Sequence, residues 1–183
     1  TDLALLPLAA ADVPCAEELA QRLGLPLLTA NNPETCAEAQ TVLVIDGQQR
    51  LTTLTLILAA LANALDKLDE SKREPLDGFS PRKLRSYYLL NPVEEGERRY
   101  KLLLSQTDKD SLIAIVGDGV QPTDPSLRVT ENFELFEALI AGCRNNLSVV
   151  GKGLAKRVVV DLALNRDQDS PQLIFESMNS TGR

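Results

Sequence analysis

Five consecutive polar residues, Asp46-Gly47-Gln48-Gln49-Arg50, carry the side chains in this sequence that are best suited to chemistry. An arginine guanidinium can donate two parallel hydrogen bonds to a phosphate or carboxylate, and glycine lets the backbone approach a ligand closely. Asp46 can bind a metal ion, orient a water molecule or cap a helix. Thr52 and Thr53 add hydroxyl groups nearby. The pattern predicts an anion-binding turn, while a helix cap with a surface loop is the simpler alternative for an arbitrary Asp-Gly-x-x-Arg sequence.

The residues on either side predict a strand that passes directly into a helix. Thr41 to Ile45 form a short β-branched apolar run, which is typical of a buried strand. Leucines then recur at steps of three and four, as expected for one face of an amphipathic helix, at Leu51, Leu54, Leu58, Leu61, Leu65 and Leu68. The first turn of a helix has unpaired N–H groups and a positive dipole end, so this junction is a favourable place for an anion.

Two longer strings resemble the motifs of one protein family. The string Ile45 to Leu54 (IDGQQRLTTL) is similar to the signature of the GmrSD restriction endonuclease N-terminal domain family, and Ile174 to Gly182 (IFESMNSTG) resembles its F-E-x-x-N-x-T-G motif. The resemblance covers about residues 41–183. It implies a single α/β (mixed α+β) domain of the ParB-like kind, with a small sheet flanked by helices. Residues 1–40 are then an N-terminal helix–strand segment that supports this domain.

The resemblance also implies roles for individual residues. The two motifs are expected to meet in one nucleotide pocket that holds Mg²⁺ with a nucleoside triphosphate. Catalytic roles fall to Asp46, Gln49 and Arg50, and Asp46 is the expected metal ligand. The expected nucleotide-binding residues are Gly47, Gln48, Arg50, Thr52, Thr53, Glu176, Asn179 and Thr181.

Three functions follow as hypotheses. The first is an NTP-binding and NTP-hydrolysing sensor module of a DNA-restriction or phage-defence system, which would act on modified DNA through a nuclease partner or a further domain. The second is a non-catalytic DNA-binding or regulatory domain of the same ParB-like shape. The third is a fragment of an RNA methyltransferase, because Glu18 to Leu27 resembles the start of some ribosomal small-subunit RNA methyltransferase J sequences. Binding of S-adenosylmethionine would distinguish the third hypothesis from the other two.

The sequence departs from the family pattern at both ends. Family members usually begin with an extended segment carrying an aromatic and arginine motif, and residues 1–40 show nothing like it. Members normally continue beyond the Asn-Ser-Thr-Gly motif into further helices and, often, a His-Asn-His nuclease domain. We therefore expect a domain truncated at its C-terminus.

Composition excludes several kinds of chemistry. The 183 residues include no histidine, which excludes a Ser-His-Asp triad, a histidine-based zinc site and His-Asn-His nuclease chemistry in this chain. A net charge of −7 argues against binding nucleic acid through general phosphate neutralisation. The three cysteines are not spaced as metal ligands are. The sequence contains no run of 18 apolar residues, which a membrane span would need. We expect a cytoplasmic protein with free thiols.

The remaining segments predict further elements. Helices are expected at Ala16 to Leu23, Ser111 to Val116 and Val129 to Cys143, and strands at Leu25 to Thr29, Tyr100 to Leu104 and Arg157 to Leu164. Residues Gly142 to Gly153 are expected to be a connector.

A cluster of basic residues lies around two adjacent tyrosines, Tyr87 and Tyr88. Its members can face a phosphate or a nucleic acid, but Glu94, Glu95 and Glu97 lie among them, and an ordinary solvated face is the more frequent explanation. The cluster comprises Arg82, Lys83, Arg85, Arg98, Arg99 and Lys101.

Overall fold

The structure is a computed structural model that describes residues 2–7, 27–30, 40–117, 119–155 and 160–163. In this part of the chain helices predominate over short strands. The strands are β1 (Asp2–Pro7), β2 (Leu27–Ala30), β3 (Gln40–Asp46), β4 (Leu102–Leu103) and β5 (Val160–Ala163). The helices are α1 (Gln48–Asp66), α2 (Pro81–Leu84), α3 (Gln106–Val116), α4 (Leu127–Gly142) and α5 (Leu147–Ala155). Short 3₁₀ segments occur at Glu70–Lys72, Gly96–Arg99 and Arg144–Asn146, and Arg85–Leu89 form a π-helix.

The described residues group into two compact units. The first contains β1, β2, β3 and β5, and the second runs from Arg50 to the end of α5. In the first unit the hydrogen-bonded order of these strands is β2-β3-β1-β5. Strand β3 is antiparallel to β1 and β2, whereas β1 is parallel to β5.

The pairing of β1 with β3 is irregular beside the Asp-Gly-Gln-Gln-Arg motif. Ala4 pairs with Asp46, but the next residue of β1, Leu5, pairs with Val44. Strand β3 therefore has one more residue, Ile45, than β1 has at this position, which is a β-bulge. A bulge bends its strand and increases its local twist, so the regular pairing of β3 with β1 is interrupted next to Asp46.

Helix α1 is the central core helix of the second unit. One group of its residues, which includes Leu56 and Ala59, packs with Leu89, Leu112 and Val129. A second group, which includes Leu61 and Leu65, packs with Phe79, Leu84, Ile140 and Leu147. Four consecutive residues, Ala59 to Ala62, are all buried. Burial therefore extends round most of this part of the helix, as expected for a helix that is apolar on more than one face.

Hydrogen bonds join the start of α4 to α3. Ser126 is the N-cap of α4, and its Oγ accepts a bond from Val129 N. The same hydroxyl donates to Asp108 Oδ1 at 2.5 Å, and Ser126 N donates to the Oγ of the fully buried Ser111 at 2.8 Å. Ser126 thus accepts a hydrogen bond from a backbone N–H at the start of α4 and also bonds two residues of α3.

Several sequence expectations are confirmed, and some are wrong in their bounds. The strand before the motif and the Leu-rich helix after it are present as β3 and α1, but α1 ends at Asp66, so the last leucine of the stripe, Leu68, lies beyond it. The helix expected from Ser111 begins earlier, at Gln106. The connector expected over residues 142–153 is wrong, because α5 occupies Leu147–Ala155. Helices and strands both occur, but a ParB-like sheet stays a prediction.

No helix among the described residues is long and apolar enough to cross a membrane. The helix expected at residues 16–23 lies outside the described part of the chain.

Candidate functional site

The candidate site begins where β3 passes into α1 with one residue between them. Strand β3 ends at Asp46 and α1 begins at Gln48, so Gly47 alone makes the turn. Gly47 is buried and has φ +87°, in the left-handed region. A residue with a Cβ is strained there by about 1–2 kcal/mol, so the sharp passage from strand to helix requires glycine.

The polar residues after Gly47 lie on the first two turns of α1. Gln49, Arg50 and Thr53 are exposed, and Gln48 and Thr52 are half-buried. Residues three and four apart are neighbours on a helix, which places Gln49 beside Thr52 and Thr53. The structure therefore brings all five predicted residues of α1 to one end of this helix.

The electrostatics of this helix end favour an anion. Helix α1 is 19 residues long and has no acidic residue in its first turn. The positive end of the helix dipole is therefore not neutralised by a carboxylate within that turn, and Arg50 adds a permanent cation. Phosphate groups are the ligands that such a helix start commonly binds.

Asp46 is the expected metal ligand and stands at the end of β3, opposite Ala4 and next to the bulge. The described residues contain no group of three or more His, Cys, Asp and Glu side chains that could hold a metal ion. Mg²⁺ with a nucleotide does not require such a group, since one or two carboxylates, phosphate oxygens and water complete its shell. Carboxylate, amide and hydroxyl oxygens are the donor types that this motif offers, and they are chemically suitable for Mg²⁺.

The second motif, Ile174 to Gly182, lies outside the part of the chain that the structure describes. Glu176, Asn179 and Thr181 lie outside the described residues. Their expected meeting with the Asp46 to Arg50 motif in one pocket stays a prediction.

Half of the basic cluster is engaged within the protein. Lys83 Nζ contacts Glu74 Oε1 at 2.6 Å and Asp77 Oδ1 at 3.2 Å. Arg85 bonds Asp66 and Asn63, and Lys101 Nζ donates to Asn91 Oδ1 at 2.9 Å. Burial lowers the pKa of Lys101. These three residues stabilise the fold, whereas Arg82, Arg98 and Arg99 are exposed.

Sequence reasoning did not single out Asn91, which is completely buried and organises a loop. Its Nδ2 donates to Arg98 O at 2.9 Å and its backbone N donates to Arg99 O at 2.7 Å. The dipeptide Asn91-Pro92 is a turn signal that could have identified it.

Comparison with known proteins identifies the family. A family model described as "GmrSD restriction endonuclease, N-terminal domain" matches residues 21–183. The match begins 20 residues before the segment that the motifs indicated, and it includes part of the stretch that resembles methyltransferase J. Searches of curated proteins and of solved structures give no match. The chain belongs to the GmrSD restriction endonuclease N-terminal domain family.

Proposed function

We propose that this chain is the NTP-binding and NTP-hydrolysing sensor module of a DNA-restriction or phage-defence system. Membership of a restriction endonuclease family supports the biological setting. The observation that supports NTP binding and hydrolysis is the start of α1. There Gly47, with φ +87°, leads into a helix on which Gln49 and Arg50 are exposed.

The phosphates of a nucleotide would be bound at this helix start. Backbone N–H groups beyond Gly47 offer donors, and the helix dipole favours the negative charge. Arg50 offsets charge on the phosphates with a planar donor fork that can form two parallel hydrogen bonds. Thr52 and Thr53 supply hydroxyl groups one turn along the helix from Gln48 and Gln49.

The residues present are sufficient for phosphoryl transfer to water. This reaction depends mainly on positioning the reactants and stabilising charge, so it needs no histidine. Gln49 would orient the attacking water, and Asp46 would hold Mg²⁺ directly or through water. Bound Mg²⁺ would neutralise phosphate charge. The ParB-like form of the domain, the pocket wall from Glu176, Asn179 and Thr181, and a cytoplasmic location belong to the same proposal.

The partner of such a module would be a nuclease, in another chain or another domain, that acts on modified DNA. Because the 183 residues contain no histidine, this chain itself offers no His-Asn-His chemistry. Nucleotide turnover would then report recognition of DNA to that nuclease.

The test is calorimetric binding of the four NTPs with Mg²⁺, together with phosphate release, for the wild type and for Asp46→Asn, Gln49→Ala and Arg50→Ala. We expect saturable binding that Arg50→Ala weakens at least tenfold, and phosphate release that Asp46→Asn and Gln49→Ala reduce. Arg128→Ala is the matched control, since Arg128 is an exposed arginine near the start of another helix, α4.

Binding without phosphate release would favour the non-catalytic regulatory or DNA-binding alternative. Absence of binding by folded wild type would overturn the proposal and leave Asp46 to Arg50 as a structural turn.

A further inference from the structure

Two adjacent tyrosines are exposed on the π-helix Arg85–Leu89. The side chains of Tyr87 and Tyr88 are 56% and 48% exposed, and their ring centroids lie 6.4 Å apart with an interplanar angle of 79°. Large aromatic rings usually gain more by burial than by standing in water. A pair held at this exposure therefore leaves aromatic surface that a binding partner can cover.

Two exposed arginines lie on a segment that pairs with the residues immediately after the tyrosines. Arg98 and Arg99 belong to a segment that runs beside residues 89–91, because Lys101 N donates to Leu89 O at 3.0 Å and Asn91 N donates to Arg99 O at 2.7 Å. Arg82 is exposed and lies about one helical turn before Tyr87. We refer to Tyr87, Tyr88, Arg82, Arg98 and Arg99 as the Tyr-Arg surface.

The buried side chain of Asn91 holds this surface together. Its Nδ2 donates to Arg98 O at 2.9 Å, and its Oδ1 accepts a bond from Lys101 Nζ at the same distance. Leu90 and Tyr100 form an antiparallel bridge next to it. The arginine-bearing segment thus has a defined position beside residues 89–91 before any partner binds.

The charge of this part of the chain is opposite to that of the whole. Residues 82–101 contain six Lys and Arg and three Glu, whereas the net charge of the chain is −7. One of the three carboxylates, Glu97, is paired with Lys109 Nζ at 2.6 Å, while Glu95 is exposed and Glu94 half-buried. Lys83 and Arg85 are paired with Glu74, Asp77 and Asp66, so the cations available to a ligand are the exposed Arg82, Arg98 and Arg99. These arginines favour a polyanion, and the exposed rings favour one with unpaired bases.

We propose that the Tyr-Arg surface binds single-stranded nucleic acid, with bases stacking on Tyr87 and Tyr88 and phosphates contacting Arg82, Arg98 and Arg99. This surface is distinct from the residues of the nucleotide proposal. A duplex fits less well, because its bases are already stacked on one another and expose no ring face to an aromatic side chain.

The test is fluorescence anisotropy of a labelled thymidine oligonucleotide with the full chain, in EDTA and without nucleotide. Tyr87→Ala and Tyr88→Ala should each weaken binding about fivefold or more, which is the usual range for loss of one stacked base. Tyr88→Phe keeps the ring and should bind as the wild type does. The double substitution Arg98→Gln/Arg99→Gln should reduce the slope of log K against log salt by about 1.4, since each phosphate contact contributes about 0.7.

Arg128→Gln, at an exposed arginine of α4, is the control for a general loss of charge. Thermal unfolding checks that each variant is folded. Absence of oligonucleotide binding, equal or tighter binding of the matching duplex, or unchanged affinity of the tyrosine-to-alanine variants would each overturn the inference. Because the assay contains neither NTP nor Mg²⁺, its result is independent of whether the chain hydrolyses nucleotides.

Discussion

The guanidinium of Arg85 bonds the carboxylate of Asp66, 19 residues earlier in the chain, with Nη1 donating to Oδ2 at 2.5 Å. The second nitrogen, Nη2, donates to Asn63 Oδ1 at 2.9 Å. Arg85 is the first residue of the π-helix and Asp66 is the last residue of α1. One side chain therefore fastens the end of the core helix to the segment that carries the exposed tyrosines.

Arg85→Lys should lower the free energy of unfolding by about 1 kcal/mol, because a lysine ammonium cannot reproduce the forked contact with two acceptors. Urea denaturation at neutral pH measures this change. Lys67→Met is the control: its Nζ lies 3.8 Å from Glu137 Oε1, the lysine side chain is 63% exposed, and its loss should change stability by less than about 0.5 kcal/mol. Equal effects of the two substitutions would contradict a special role for Arg85.

Gly47→Ala and Gly78→Ala form a matched pair for the candidate site. The two glycines have φ of +87° and +83°, so alanine should cost about 1–2 kcal/mol of stability at either position. Only Gly47 lies at the start of α1, so only Gly47→Ala should also weaken NTP binding. Denaturation and calorimetry on both variants separate the two effects. Loss of NTP binding in Gly78→Ala as well would show that destabilisation alone explains the loss.

The pKa of Glu74 should lie below the ordinary value for a glutamate side chain. The hydrogen bond from Lys83 is the main cause that lowers the Glu74 pKa from 4.5, with a smaller contribution from Gly78 N–H and an opposing contribution from burial. The same contact raises the Lys83 pKa above 10.5. The stabilisation linked to Glu74 is therefore present above pH 4.5 and lost as the pH falls through its folded-state pKa. The stabilisation linked to Lys83 is present below pH 10.5 and is lost as the pH rises through the folded-state pKa of Lys83.

An NMR titration of the Glu74 side chain in wild type and Lys83→Met measures this effect. The substitution should raise the Glu74 pKa back towards 4.5. Lys72→Met is the control, because Lys72 pairs with Asp69 instead of Glu74 and should leave the titration unchanged. A Glu74 pKa that is the same in wild type and Lys83→Met would disprove the predicted coupling.

Leu56→Ala should be among the most destabilising single truncations in α1. Leu56 is 2% exposed and packs in the cluster that contains Leu89 and Leu112, so its loss leaves a cavity that should cost about 2.5–5 kcal/mol. Leu139→Ala is the comparison, because Leu139 on α4 is 57% exposed and should lose less than about 0.5 kcal/mol. Chemical denaturation of the two variants measures the difference. A cost at Leu56 no larger than that at Leu139 would contradict the predicted cavity.

The leucine stripe predicted α1 correctly but identified its buried surface only in part. Leu61 and Leu65 are buried, whereas Leu54 and Leu58 are half-buried, and Leu56 lies outside the stripe. Periodicity reveals the most apolar face of a helix. It does not reveal that other helices also cover the neighbouring faces, as they do around α1.

The error at residues 142–153 has a similar origin. Gly142, Gly151 and Gly153 indicated a connector, because glycine is unfavourable inside a helix. Helix α5 nevertheless includes two of these glycines. At Gly151 an added Cβ would lie 3.2 Å from Phe79 Cδ1, so close packing against the core explains the absence of a side chain there.

By itself the sequence determined the strand, the glycine turn and the helix of the candidate site, because a β-branched run, a Gly between polar residues and a 3.6-residue periodicity are local signals. It also determined the family through two motifs and excluded histidine chemistry through composition. Only the tertiary structure decided which cations of the basic cluster are engaged, since Lys83, Arg85 and Lys101 find partners 6 to 22 residues away. It also decided that Tyr87 and Tyr88 stand in solvent and that the segment with Arg98 and Arg99 pairs with residues 89–91, because hydrogen bonds from Asn91, and not sequence spacing, bring those segments together.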